Sequence, residues 1–118
     1  MVKFDDSFSD RRVAKLYAKE EERLVQTMAS QLGFEYVNLQ GQSISSDAVS
    51  TIPKQKSEDA EVVAFSINNH NLSVAAKHPS QPKVQAVIKE LEKQRYIVSI
   101  FACSTASLNH ARKRYLDL

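Results

Sequence analysis

Two apolar runs separated by four polar residues constrain this chain most. Residues 62–76 read VVAFSINNHNLSVAA, with Val62–Ile67 and Leu72–Ala76 on either side of Asn68-Asn69-His70-Asn71. Val62, Val63, Ala64 and Phe65 run without a polar break, the pattern of a strand covered on both faces. Leu72, Val74 and Ala76 alternate with Ser73 and Ala75, which suits a partner strand with one better-buried face. Asparagine tolerates positive φ, so the polar tetrad is a hairpin turn. The spacing predicts a β-hairpin with helices packed on its sheet.

A chain of 118 residues makes one domain the expectation. It is 42% hydrophobic, enough for a core without staples. The net charge of +2 gives no argument for nucleic acid. A single cysteine, Cys103, excludes an internal disulfide and a cysteine-cluster metal site, and a reduced cytoplasmic setting fits. No apolar run is long enough to span a membrane, and residues 1–10 lack the apolar centre of a signal peptide.

The chain divides into an N-terminal helical segment, residues 1–33, and an α/β domain over 34–118. A frayed start is expected over 1–9, then a helix from Asp10, as one piece or two. Val13, Leu16 and Tyr17 begin an apolar stripe that Leu24, Val25, Met28 and Leu32 continue. Lys19, Glu20, Glu21, Glu22 and Arg23 interrupt it as a solvated charged stretch. Gly33 stops the helix, because glycine takes the left-handed cap without steric cost.

Tyr36–Leu39 reads as a short strand. Ser45 is an N-cap for a helix over 46–52, with Ile44 and Val49 as a hydrophobic staple. Pro53 ends that helix and opens a further turn over Lys54–Asp59 from its N1 position. Pro82 fits the N1 position of a helix whose Val84, Val87, Ile88 and Leu91 fall at i, i+3, i+4 and i+7. Ile97–Ala102 is the fourth strand. Ser104 caps a last helix with Leu108, Ala111, Arg112 and Tyr115 on one face. The order α-β-α-β-β-α-β-α predicts a two-layer α/β sandwich on a small mixed four-stranded sheet.

In order and spacing, residues 22–118 resemble the N-terminal domain of the bacterial type II secretion and type IV pilus assembly ATPases, the GspE N-terminal domain family. The resemblance rests on Leu32-Gly33, Tyr36-Val37-Asn38-Leu39, Ile52-Pro53, Val62-Val63, Leu72-Ser73-Val74-Ala75, His78-Pro79, the helix Val84–Leu91, the strand Ile97–Ala102 and Lys113-Arg114-Tyr115. Asn38 replaces the family's usual acid, and His78 stands where an acid or asparagine is more usual.

In such motors, catalysis belongs to a downstream domain with a P-loop. These 118 residues contain no G-x-x-x-x-G-K-[ST] and no Walker-B-like strand. The resemblance therefore implies a non-catalytic docking or regulatory domain without a cofactor. Its expected partners are the cytoplasmic domain of an inner-membrane platform protein and, if present, its own downstream ATPase domain. It would be cytoplasmic, peripheral to the inner membrane through that protein and not inserted in it. The charged stretch Lys19, Glu20, Glu21, Glu22 and Arg23 is the candidate contact surface.

Some family members bind cyclic di-GMP through a tandem motif beginning Arg-Leu-Gly and ending L-x-x-x-L-x-x-Q. Its tail survives as Leu24, Met28 and Gln31. Phe8, Ser9 and Asp10 stand where Arg-Leu-Gly should be, Tyr17 replaces the second glycine, and no second copy occurs. A core stripe with a polar helix end accounts for the surviving residues. His70, His78 and His110 have no spacing that brings them together as ligands or as an acid/base pair. Cys103 reads as a small buried residue at a strand end. Arg112-Lys113-Arg114 reads as cations complementing a helix C-terminus. The alternative function is a cyclic di-GMP-sensing module of the same family, and the second alternative a small RNA-binding α/β domain.

Overall fold

The computed structural model describes the backbone of residues 6–118 and the side chains of residues 19–118. The side chains of Phe8, Ser9, Asp10, Val13, Leu16 and Tyr17 lie outside that set. The elements run α1 (Asp6–Leu32), β1 (Glu35–Tyr36), α2 (Ser46–Val49), α3 (Lys54–Ala60), β2 (Val62–Asn68), β3 (Asn71–Ala76), α4 (Pro82–Lys93), β4 (Ile97–Ala102) and α5 (Thr105–Arg112). A 3-10 segment, Lys113–Asp117, follows.

The hairpin closes as the sequence predicts. Asn68 pairs with Asn71, and Asn69 takes a φ of 57° that its short amide side chain tolerates. Opposite β3, the register of β2 shifts between Ala64 and Ser66. This bulge at Phe65 re-phases the strand. Val62 and Ala64 face one core, and Ile67 returns to that same face after the extra residue.

The sheet order is β1-β4-β3-β2, with β3 and β1 both parallel to β4 and β2 antiparallel to β3. The sheet is therefore mixed, and the fold is a two-layer α/β sandwich. Parallel strands need a crossover, and α4 supplies it between β3 and β4. Pro82 sits in its first turn, and Val84, Ile88 and Leu91 are buried against Leu72, Val74 and Ala76. Fully burying a leucine such as Leu72 or Leu91 contributes about 2 kcal/mol. On the opposite face, Val63, Ala75 and Cys103 pack under Leu39, Ile44, Val49, Leu108 and Ala111. That cover reaches only the end of the sheet away from the hairpin turn. Phe65 and Phe101 pack against that cluster, meet edge-on at 5.6 Å and stay half-exposed.

Ser45 caps α2 by accepting from the Ala48 amide, and Ser104 caps α5 by accepting from the Ser107 amide. Ile44 and Val49 share a cluster, as the staple requires. Several boundaries differ from expectation. Helix α1 is unbroken through Lys19–Arg23 and begins at Asp6. Its stop is as expected, with Gly33 at a φ of 79°. Strand β1 spans Glu35–Tyr36 only, instead of Tyr36–Leu39. The Leu39 amide donates to Ser107 Oγ and the Gln40 amide to Asn38 Oδ1, so this stretch turns away from the sheet. Helix α2 stops at Val49 because Ser50 and Thr51 hydroxyls bond back to the carbonyls of Asp47 and Ala48. Pro53 is the N-cap of α3, one position before N1.

Candidate interaction surface

Helix α1 carries the residues singled out from sequence, so its packing decides what each can do. Val25 and Ala29 are buried against Ala102, with Met28, Phe34 and Tyr36 packed around them. The alanines at 29 and 102 let the helix approach the β1/β4 end of the sheet closely. The charged stretch is not uniformly solvated. Lys19, Glu20 and Arg23 are exposed, and Arg23 grips both Glu20 carboxylate oxygens at 2.9 and 2.7 Å within the helix. Glu21 and Glu22 turn inward and are half-buried.

Their partners are specific. Glu21 Oε1 accepts from the backbone amide of Thr105 at 2.7 Å, the first residue of α5. A carboxylate there meets an unpaired helix N–H and the positive end of the helix dipole. Glu22 accepts from the Tyr36 hydroxyl. Partial desolvation raises the Glu21 pKa, but the Thr105 hydrogen bonds and the Lys77 charge outweigh it and hold the carboxyl below its usual range. Burial, the Glu22 hydrogen bond and its charge all push Tyr36 up.

The expected apolar stripe is split. Val25 is buried and Met28 half-buried, whereas Leu24 is 60% exposed and Leu32 52% exposed. A core role for Leu24 is thus corrected. The sheet contact is centred on Val25 and Ala29, which turns Leu24 to the flank. Leu24 and Met28 line a shallow groove with Glu21, Val25, Lys77 and His78. Gln31 is exposed one turn further along α1. Leu24, Met28 and Gln31 follow one another at i, i+4 and i+7, so they form a single stripe beside that groove.

The remaining singled-out residues do not converge. His70 is in the hairpin turn, His78 follows β3, and His110 Nε2 donates to the Gln42 carbonyl at 3.1 Å. Among the described residues, no three metal-ligating side chains gather. Cys103 is fully buried, and burial, with Glu22 and Glu21 nearby, pushes its thiol well above its usual value. That environment disfavours the thiolate a nucleophile needs. Arg112 pairs with Glu58 at 3.8 Å and Arg114 with Asp117 at 3.0 Å, so the basic run is largely neutralised. No described helix is long and apolar enough to cross a membrane.

No family model and no curated protein matches the sequence. A solved structure of MshE with cdg is similar in three dimensions, with a TM-score of 0.68 at 18% identity. The two chains share a fold. The match covers 78% of this chain and 66% of that one. Sequence reasoning missed the inward roles of Glu21 and Glu22. A signal was present, because Glu21 lies four residues before Val25 and eight before Ala29 and so continues the buried face.

Proposed function

We propose that this chain is a non-catalytic docking or regulatory domain of a type II secretion or type IV pilus assembly ATPase. The observation that carries the reading is the fold shared with MshE, together with the ordered family pattern from Leu32-Gly33 to Tyr115. The domain acts in the cytoplasm, against the cytoplasmic part of an inner-membrane platform protein. Its sequence lacks the P-loop that nucleotide hydrolysis in such motors requires. The contact is made by the outer side of α1, where Lys19, Glu20, Arg23, Leu24 and Leu32 are exposed. Charge beside isolated apolar groups is the make-up of a polar-rimmed protein interface. Titrating the isotope-labelled chain with the platform protein's cytoplasmic domain tests this. Amide shifts confined to α1 are expected, and no shift at high concentration would overturn docking.

A second reading is a cyclic di-GMP sensor. It is favoured by the cdg in the MshE structure and by the accessible stripe of Leu24, Met28 and Gln31. A bound ligand raises the melting temperature with concentration by mass action. A flat melting temperature at millimolar ligand would remove this reading. An RNA-binding role has less support, because Arg112 and Arg114 are already paired with acids.

A further inference from the structure

We propose that α1 docks on and releases from the sheet as a unit, with the Glu21 carboxylate on the Thr105 amide as its latch. Four observations converge on this. Among the described residues, the apolar contact of α1 is a small cluster of its own, with Val25 and Ala29 against Ala102, separate from the two cores that hold the sheet. The polar contact is concentrated, among the described residues, in adjacent positions, Glu21 on Thr105 and Glu22 on Tyr36. The helix joins the domain through Gly33, whose φ of 79° is left-handed and around which a Cβ would meet nothing within 4 Å. Finally, Leu24 and Leu32 leave apolar surface exposed on the same helix, so α1 can gain burial elsewhere when it leaves the sheet.

The latch is unusual in reaching across 84 positions to cap a helix that already has a local cap. Ser104 satisfies the Ser107 amide, and Glu21 satisfies the Thr105 amide. Undocking would thus free one helix N–H and break two carboxylate contacts, Glu21 on Thr105 and Glu22 on Tyr36, leaving α5 otherwise intact. Elements with few buried apolar contacts open below the global unfolding transition. Such an element can pass between its own sheet and a partner without unfolding the domain. This goes beyond the docking proposal, since it holds whichever molecule takes up α1.

Native-state hydrogen exchange on the full chain tests it. In the unsubstituted protein, amides of residues 22–32 should exchange faster than those of Leu72–Ala76 in β3. Glu21→Ala removes the acceptor. Thr105→Pro removes the donor at a position where proline suits the first turn of a helix. Each should speed exchange in α1 by about two- to fivefold, the range of a helix-terminal charge contact, with β3 unchanged. The double variant should act no more strongly than either single one, since both remove the same bond. Glu20→Ala, at the exposed intrahelical pair, should leave both regions unchanged. Equal exchange in α1 and β3 would overturn the proposal. So would additive effects, or substitutions that speed both regions alike. If Thr105→Pro does not fold, the response of α1 relative to β3 in Glu21→Ala decides.

Discussion

Tyr115 donates its hydroxyl to the carbonyl of Ile52 at 2.6 Å, joining the C-terminal 3-10 segment to the end of the α2 turn across 63 positions. Ile52 has turned out of α2, so its carbonyl is available to an outside donor. The ring itself packs on the cluster of Leu39, Val49 and Leu108. Tyr115→Phe keeps that packing and leaves the carbonyl without this donor. We expect a loss of about 1 kcal/mol in urea unfolding, with no change in the denaturant slope.

The core beneath α4 should respond more strongly. Leu72 is 1% exposed and packs with Val74, Ile88 and Leu91. Leu72→Ala should cost about 2–5 kcal/mol by lost burial and the cavity left behind. Leu24→Ala, on the same scale of side-chain loss but at an exposed position, should change stability by less than about 0.5 kcal/mol. Parallel urea titrations of the two variants check both expectations.

The acid limb of stability should carry a contribution from Glu21. Its folded pKa lies below the usual value of 4.5, so the contribution is present above that value and is lost as pH falls through the folded pKa. The stability difference between the unsubstituted chain and Glu21→Ala should therefore be full at pH 7 and vanish in strong acid. A difference that is constant with pH would mean that the carboxylate charge is not what Thr105 and Lys77 recognise.

The alkaline limb has the opposite sign. Burial raises both Tyr36 and Tyr115 above the usual value of 10.0. Their contribution is complete below pH 10 and declines as pH rises through the folded values. Phenolate absorbance should thus appear later in the folded chain than in the same chain in urea, and Tyr36→Phe should remove the Tyr36 share.

Cys103 should be inert. Its thiol is buried, and burial raises its pKa further from neutrality. An alkylating reagent at pH 8 should label the native chain only through unfolding, so the labelling rate should follow stability across the Leu72→Ala and Tyr115→Phe variants.

Local chemistry made the hairpin, the Gly33 stop, the Ser45 and Ser104 caps, the α4 stripe and the α/β order readable from the chain. Each rests on neighbours within about a turn or on strict periodicity, and such signals are written consecutively. The ends of the elements were less legible. Strand β1 ends at Tyr36: the Val37 amide still reaches the Ala102 carbonyl, but the Leu39 amide is taken by Ser107, 68 positions away. The register shift at Phe65, which returns Ile67 to the core, depends on which residue of β3 lies opposite.

The surface of α1 was decided by tertiary structure alone. The apolar spacing named Leu24, Val25, Met28 and Leu32 as one stripe, and a helix face that wide admits several docking angles. Contact with Ala102 selected Val25 and Ala29, drew Glu21 and Glu22 inward to Thr105 and Tyr36, and turned Leu24 and Leu32 out. Periodicity determines that a helix has an apolar side, but the rotation of that side is fixed by the partner it meets. The partner here is a strand end and a helix N-terminus far away in the chain, so no local pattern could specify it.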